Sequence, residues 1–203
     1  MTGRLLKVEA SGNDFVRGVG SWAGRLAGEA ALALRLCDRR RGIGADGVLA
    51  VEQTAADRVR LIYRNADGSL ARFCGNGTRC AARAAVELLG LPARLVVETG
   101  WTAIPAEVRG GTVALELPPP GPPRRLTVGD GEPWRGWLLE VGVPHLVLPV
   151  PDVAASEVGR LAPPLRFHPS LGPDGANVSV VALTAGGSIA IRTWERGVED
   201  EVH

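Results

Sequence analysis

Cysteine is scarce in this chain of 203 residues: there are three, Cys37, Cys74 and Cys80. So sparse and odd a set excludes a disulfide framework and fits a reducing cytoplasm. Charge imbalance is missing as well. Lys and Arg number 23 against 22 Asp and Glu, for a formal net charge of +1, so no electrostatic pull toward nucleic acid or a membrane surface is expected. Long apolar runs are also absent. Stretches such as "VLAVE" and "WLLEVGV" are far shorter than a bilayer span, and "MTGRLLKVEASGNDF" has no apolar core of signal-peptide length. Metal-ligand spacing is lacking: there is no C-x-x-C or H-x-x-x-H, and His145, His168 and His203 are scattered, so no metal is expected. What remains is a globular chain, 45% hydrophobic and able to bury a core, whose substrate has to be argued from its sites.

The clearest internal boundary is the proline run "LPPPGPPRR", which forbids helix and interior strand and favours an extended connector. It predicts an N-terminal lobe over 1–116, a linker over 117–125 and a second lobe over 126–203. In the first lobe "LLKVEA", "GVLAVEQ", "VRLIYRNA", "ARLVVETG", "TAIPAEV" and "TVALELP" read as strands, and 24–36 and 75–89 as helices. Gly90 and Pro92 stop the second helix. Strands this closely spaced leave no room for a helix after each, which predicts an antiparallel sheet wrapped around a helix. The second lobe repeats the pattern, with "GWLLEVG", "HLVLPV", "NVSVVALT" and "SIAIRTWE" as strands and "VAASEVGRLA" as a helix.

One motif carries chemistry. In "FCGNGTRC" Cys74 stands where a helix begins, among unpaired backbone N–H groups and at the positive end of the helix dipole, which together stabilise a thiolate. Gly75 and Gly77 remove side chains that would block approach, so the same N–H groups can hold a carboxylate. The plainer alternative is a small buried thiol beside a glycine turn. For Cys37 and Cys80 core filling is the reading adopted. "GIGADG" satisfies G-x-G-x-x-G in form, but "CDRRR" precedes it and the strand-like "VLAVE" follows, so it reads as a turn feeding a strand and not as a dinucleotide site.

Several polar residues lie in apolar or glycine-rich surroundings: Asn13 and Asp14 in "SGNDF", Asn65 in "YRNADG", His145 in "GVPH", Asn177 in "GANVSV", Glu195 and Arg196 in "WERG". Singly each reads as a turn or cap residue. In order along the chain, "GNDF", "DRRRGIGADG", "NADGS", "CGNGTRC", "GVPH", "NVS" and "WERGVEDE" resemble the diaminopimelate epimerase family over essentially the whole length. The resemblance implies an α+β fold of two similar lobes, each a mainly antiparallel sheet wrapped around a central helix, the second lobe being incomplete here. It implies a cofactor-independent isomerase that interconverts L,L- and meso-2,6-diaminopimelate in lysine and peptidoglycan precursor biosynthesis, with one thiol on each face of the α-carbon. Carried onto this sequence, Cys74 is one acid/base. Gly75 and Asn76 bind the reacting end of the substrate, and Asn13, Asn65 and Asn177 contact it. Glu195 and Arg196 meet its ammonium and carboxylate, and His145 supports the catalytic pair. The expected partner is the small-molecule substrate, with a homodimer as the one assembly kept in view.

Three departures stand out. Gly47 occupies a position where many members have Gln, and Val143 one where many have Asn, which bears on substrate recognition. The second Cys-Gly-x-Gly of the family is not among these residues. Asn65 precedes Cys74 by nine residues, and nine beyond Glu195 is the position after His203. The sequence reading is therefore a truncated and inactive chain. Two alternatives stand beside it: a two-cysteine racemase of the proline or hydroxyproline type, and a non-catalytic ligand-binding module.

Overall fold

In the computed structural model, which describes residues 4–129 and 133–202, the chain forms two units, Met1–Leu117 and Pro118–His203. Unit 1 runs β1 (Arg4–Ala10), β2 (Asn13–Val19), α1 (Ser21–Gly28), α2 (Ala30–Cys37), β3 (Gly47–Ala55), β4 (Arg58–Asn65), β5 (Leu70–Ala71), α3 (Gly75–Leu89), β6 (Arg94–Glu98), β7 (Ala103–Arg109) and β8 (Thr112–Leu115). Its strands pair in the order β1-β2-β3-β4-β6-β7-β8, with β5 on β4. Helix α3 touches β1, β3, β4, β6, β7 and β8, so the sheet curls around it.

The composition of α3 explains how a helix fits inside a curled sheet. Ala81, Ala82, Ala84 and Ala85 are fully buried and bring the helix backbone close to the strands. Leu49 Cδ2 lies only 3.1 Å from where a Cβ on Gly77 would stand. The helix stops at Gly90, which adopts the left-handed conformation at φ 73° that glycine reaches without a steric penalty. Beneath it Phe15 meets Tyr63 edge to face, with ring centroids 5.7 Å apart, and its complete burial contributes roughly 1.5–3 kcal/mol.

Two of the expected helices shift. The apolar pattern over 24–36 forms α1 and α2, broken at Glu29, whose φ of −105° and ψ of 92° are extended, directly after the weak helix former Gly28. In the second lobe the helix begins at Val158 rather than in "VAAS". There Asp152 takes the Ala154 N–H and its carbonyl takes the Ser156 hydroxyl, which closes a turn instead.

Unit 2 contains β9 (Arg124–Val128), β10 (Trp134–Val141), β11 (Val143–Pro149), α4 (Val158–Arg166), β12 (Asn177–Leu183), β13 (Ile189–Glu195) and β14 (Asp200–Val202), paired β14-β13-β12-β11-β10-β9. The sheets are mixed, not purely antiparallel. Pairs β2/β3, β4/β6 and β11/β12 are parallel, because α1 with α2, α3 and α4 each carry the chain back to the end of the sheet from which it left.

The units share one register. A shift of 130 positions carries Phe15, paired with Gly47, onto His145, paired with Asn177. It carries Asn65, the last residue of β4, onto Glu195, the last of β13. It also carries Gly12 onto Gly142, both left-handed in the turns that close the β1/β2 and β10/β11 hairpins. One contrast follows. Val59 and Leu61 are 0% and 5% exposed under α3, whereas their counterparts Ile189 and Ile191 are 66% and 58% exposed. In unit 2 α4 packs on the opposite face, against Val178 and Val180.

Candidate active site

Cys74 is the N-cap of α3, its backbone extended at φ −147° and ψ 117° before the helix begins. Its sulfur accepts the Gly77 N–H at 3.4 Å, and its thiol points to Asn13 Oδ1 at 3.5 Å. The Thr78 hydroxyl holds the Cys74 carbonyl at 2.8 Å. Gly75 is open: a Cβ there would have only Phe73 Cζ within reach, at 4.0 Å. The Asn76 side-chain oxygen is taken by Arg79 Nη2 at 2.6 Å, and the same guanidinium group reaches the Ser11 hydroxyl. Cys37 and Cys80 sit in the cores, and burial pushes the thiol of each up to about 11. For Cys37 the Asp14 and Asp46 carboxylates add to that rise.

Asn13 opens β2 and is completely buried. Asn65 closes β4 opposite Gly47, and its amide donates to the Ser69 hydroxyl. Cys74, Asn13, Gly75 and Asn76 therefore cluster where β2 begins and α3 starts, with Asn65 at the end of β4 in the same sheet.

Gly47 has a packing reason. A Cβ at this position would lie 2.4 Å from Tyr63 Cε2 and 2.5 Å from the Arg64 carbonyl oxygen. The Tyr63 ring holds the space a longer side chain would need. Gly47→Gln, which introduces the residue commoner in the resembling family, is expected to lower stability by about 1–3 kcal/mol, as overpacking does. An unchanged urea midpoint would show that Tyr63 yields.

In unit 2 His145, Asn177, Glu195 and Arg196 gather at one end of the sheet. His145 pairs with Asn177 across β11 and β12, and Asn177 Oδ1 accepts the Arg196 N–H at 2.9 Å. Burial, then the charge of Arg196, hold His145 below the usual imidazole range and so favour its neutral form. The turn after Glu195 is anchored by Glu199. Its carboxylate takes Arg166 Nε at 2.6 Å, the Gly197 N–H at 3.1 Å and Trp194 Nε1 at 3.4 Å.

Sequence reasoning passed over Asp46, which lay inside the rejected G-x-G-x-x-G. Asn13 Nδ2 donates to its Oδ2 at 2.8 Å, and Arg39 Nη2 to its Oδ1 at 2.6 Å. The signal is the cluster of acidic and basic residues in "DRRRGIGADG". Among the described residues no group of three or more His, Cys, Asp or Glu side chains is arranged to hold a metal, and no helix is long and apolar enough to cross a membrane. His203 lies outside the described residues.

A family model described as diaminopimelate epimerase matches residues 6–131. The chain is similar to the diaminopimelate epimerase of Aquifex aeolicus, 36% identical over 96% of this chain and 74% of that protein. To the enzyme of Halorhodospira halophila it is 37% identical, over 96% and 73%. It thus spans about three quarters of the length of these relatives. Among solved structures it is similar to a probable proline racemase from Agrobacterium radiobacter, with a TM-score of 0.66 and 16% identity over 95% of this chain and 70% of that one. A phenazine biosynthesis protein of the PhzF family from Bacillus anthracis also has a TM-score of 0.66 and 16% identity, over 100% and 76%. At that identity these two establish a shared fold alone.

Proposed function

The chain belongs to the diaminopimelate epimerase family, and from that premise we propose that it carries one half of the proton-transfer machinery that interconverts L,L- and meso-2,6-diaminopimelate. The observation that carries this reading is Cys74 at the N-cap of α3, its sulfur set between the Gly77 N–H and the Asn13 amide oxygen.

An α-proton is weakly acidic, so its removal needs a positioned base and donors aimed at the adjoining carboxylate. As a thiolate, Cys74 takes the α-proton from one face. The C–H electron pair stays on the α-carbon and spreads into the carboxylate, and a second thiol returns a proton to the other face. In the reverse direction Cys74 donates. The first-turn amides of Gly75 and Asn76 are the carboxylate donors of this unit, and Asn13 and Asn65 add substrate contacts. Unit 2 by itself offers an amide in Asn177, an anion suited to an ammonium group in Glu195 and a cation suited to a carboxylate in Arg196, with His145 held toward its neutral form beside them. A shift of 130 positions from Cys74 runs past His203, so these 203 residues hold no counterpart of it. Ile189 and Ile191 are exposed on the face where a counterpart of α3 would pack. The setting that goes with this proposal is lysine and peptidoglycan precursor synthesis in the cytoplasm.

A limiting amount of an aziridine analogue of diaminopimelate, followed by peptide mapping, is expected to alkylate Cys74 before Cys37 and Cys80. L,L-diaminopimelate should slow that labelling and proline should not. First labelling of Cys37 or Cys80 would remove the assignment. Protection by proline instead would favour a racemase of the proline type, the alternative that the sequence leaves open.

A further inference from the structure

A side-chain amide has a donor end and an acceptor end, and the end that faces a thiol decides which protonation state of the sulfur it favours. An oxygen there accepts from S–H, whereas an NH₂ group would donate to a thiolate. Asn13 is completely buried beside Cys74, so its neighbours settle its orientation. One neighbour is a carboxylate. Asp46 Oδ2 lies 2.8 Å from Asn13 Nδ2, and an ionised carboxylate only accepts. The opposite orientation would set oxygen against oxygen there. Oδ1 is thereby turned to Cys74 Sγ, 3.5 Å away.

We propose that Asp46 is a positioning residue for Cys74: by pinning the Asn13 amide it keeps the acceptor end on the sulfur and holds Cys74 as a thiol ready to donate. The inference rests on the reading that Cys74 transfers a proton. Asp46 is itself well held. Its Oδ2 also takes the Asp14 N–H at 3.0 Å, its Oδ1 takes Arg39, and its own N–H donates to Asp14 Oδ1 at 2.9 Å. Asp14 pairs in turn with Lys7 at 2.9 Å and Arg39 at 3.0 Å. Burial pushes the Asp14 carboxyl up, but the hydrogen bonds from Arg39 and Lys7 outweigh it and hold the group well below the usual carboxylate range. Lys7, Asp14, Arg39 and Asp46, drawn from β1, β2 and the loop before β3, thus form a charged frame that keeps the acceptor in place at neutral pH. The Gly77 N–H acts the other way, because it donates to the sulfur. The orientation of the amide therefore decides whether the Asn13 contact opposes or reinforces that donation.

The test follows the alkylation rate of Cys74 against pH in the folded 203-residue protein, which needs no substrate. In Asp46→Asn the acceptor-only pin is gone, and the Asn13 amide can turn its NH₂ group to the sulfur. The midpoint of the labelling curve should fall by about one pH unit, so that labelling well below the midpoint is ~10-fold faster. Asn13→Ala, which removes the acceptor without supplying a donor, should lie between wild type and Asp46→Asn. In the double variant the effect of Asp46→Asn should vanish, since it acts through Asn13. A purely structural Asp46 would instead accelerate labelling of Cys80 too, and its effect would persist without Asn13; Cys37 is no control here, because loss of the Asp46 charge lowers its thiol directly. An unchanged midpoint in folded Asp46→Asn, or an equal shift in the Asn13→Ala background, overturns the proposal. Should Asp46→Asn fail to fold, Asn13→Ala alone decides, and no fall in its midpoint sinks the proposal. Because thiol titration is independent of turnover, this failure leaves the proton-transfer reading standing. A Cys74-independent epimerisation would do the reverse.

Discussion

Incubated with L,L-diaminopimelate in deuterium oxide, a polypeptide of these 203 residues is expected to yield no meso isomer above background. On the proposed reading, inversion needs a proton donor on the face opposite Cys74. Cys37 and Cys80 cannot supply it: both are buried in the cores of unit 1, with thiols pushed up to about 11. A missing general acid or base costs about 10²–10⁴ in rate. Loss of a set of oxyanion-type donors at a second helix start costs about 10²–10³ more. Either factor would hide turnover in an ordinary assay. Exchange of the α-proton with retention needs Cys74 alone, yet it lacks the same donors and should be very slow. The measurement follows deuterium at the α-carbon by mass spectrometry and meso product by chiral chromatography, with Cys74→Ala as the blank. Meso product well above that blank would show that another group in these residues, or in a second copy, replaces the absent thiol.

Replacing Glu199 with Ala is expected to cost about 2–3 kcal/mol at neutral pH and to loosen the turn that carries Arg196. Glu199 holds the guanidinium group of Arg166, whose side chain is 7% exposed and also donates to the Asp174 carbonyl. Without the carboxylate a buried cation is left unpaired. The figure sits below that of a fully buried pair because Glu199 itself is 43% exposed and partly screened. The pH dependence has a definite sign. Burial raises the Glu199 carboxyl, but Arg166 and the Gly197 N–H outweigh it, so in the folded protein it lies below its ordinary value. Its stabilisation is therefore present above the ordinary carboxylate range and lost as pH falls through the depressed value. The gap between wild-type and Glu199→Ala urea midpoints should be full at about pH 7 and close as pH falls below the ordinary carboxylate range and through the depressed value. A gap that stays constant into acid would mean that Glu199 acts by packing and not by charge.

Helix α3 was legible to the residue, from Gly75 to Leu89, because the signals at its two ends are local: a cap and glycines that open the first turn, and Gly90 that closes the last. Ten strands were legible because each carries its own local pattern, an apolar–polar alternation or, as in β3, a short apolar run bounded by turn residues. Strand β2 was not. "NDFVRGV" carries Asp14, Arg17 and Gly18, and reads as a strand only once β1 and β3 flank it on both sides and Arg17 has the Cys80 carbonyl to bond. The parallel pairings were hidden for the same reason, since pattern within a strand says nothing about the direction of its neighbour.

The candidate residues divide in the same way. Cys74, its glycines and the ordered polar motifs stood in the sequence, because helix caps and turns are written within a few positions of the residues they serve. The frame around them was decided only by folding. Asp46 reaches Asn13 across 33 positions, and Cys74 reaches Asn13 across 61. Tyr63 fills the space beside Gly47 because β3 and β4 pair in one register. A hydrogen bond is set by distance and angle, and residues so far apart along the chain meet at 3 Å only when the sheet brings their strands together and burial takes away the water that would otherwise satisfy them.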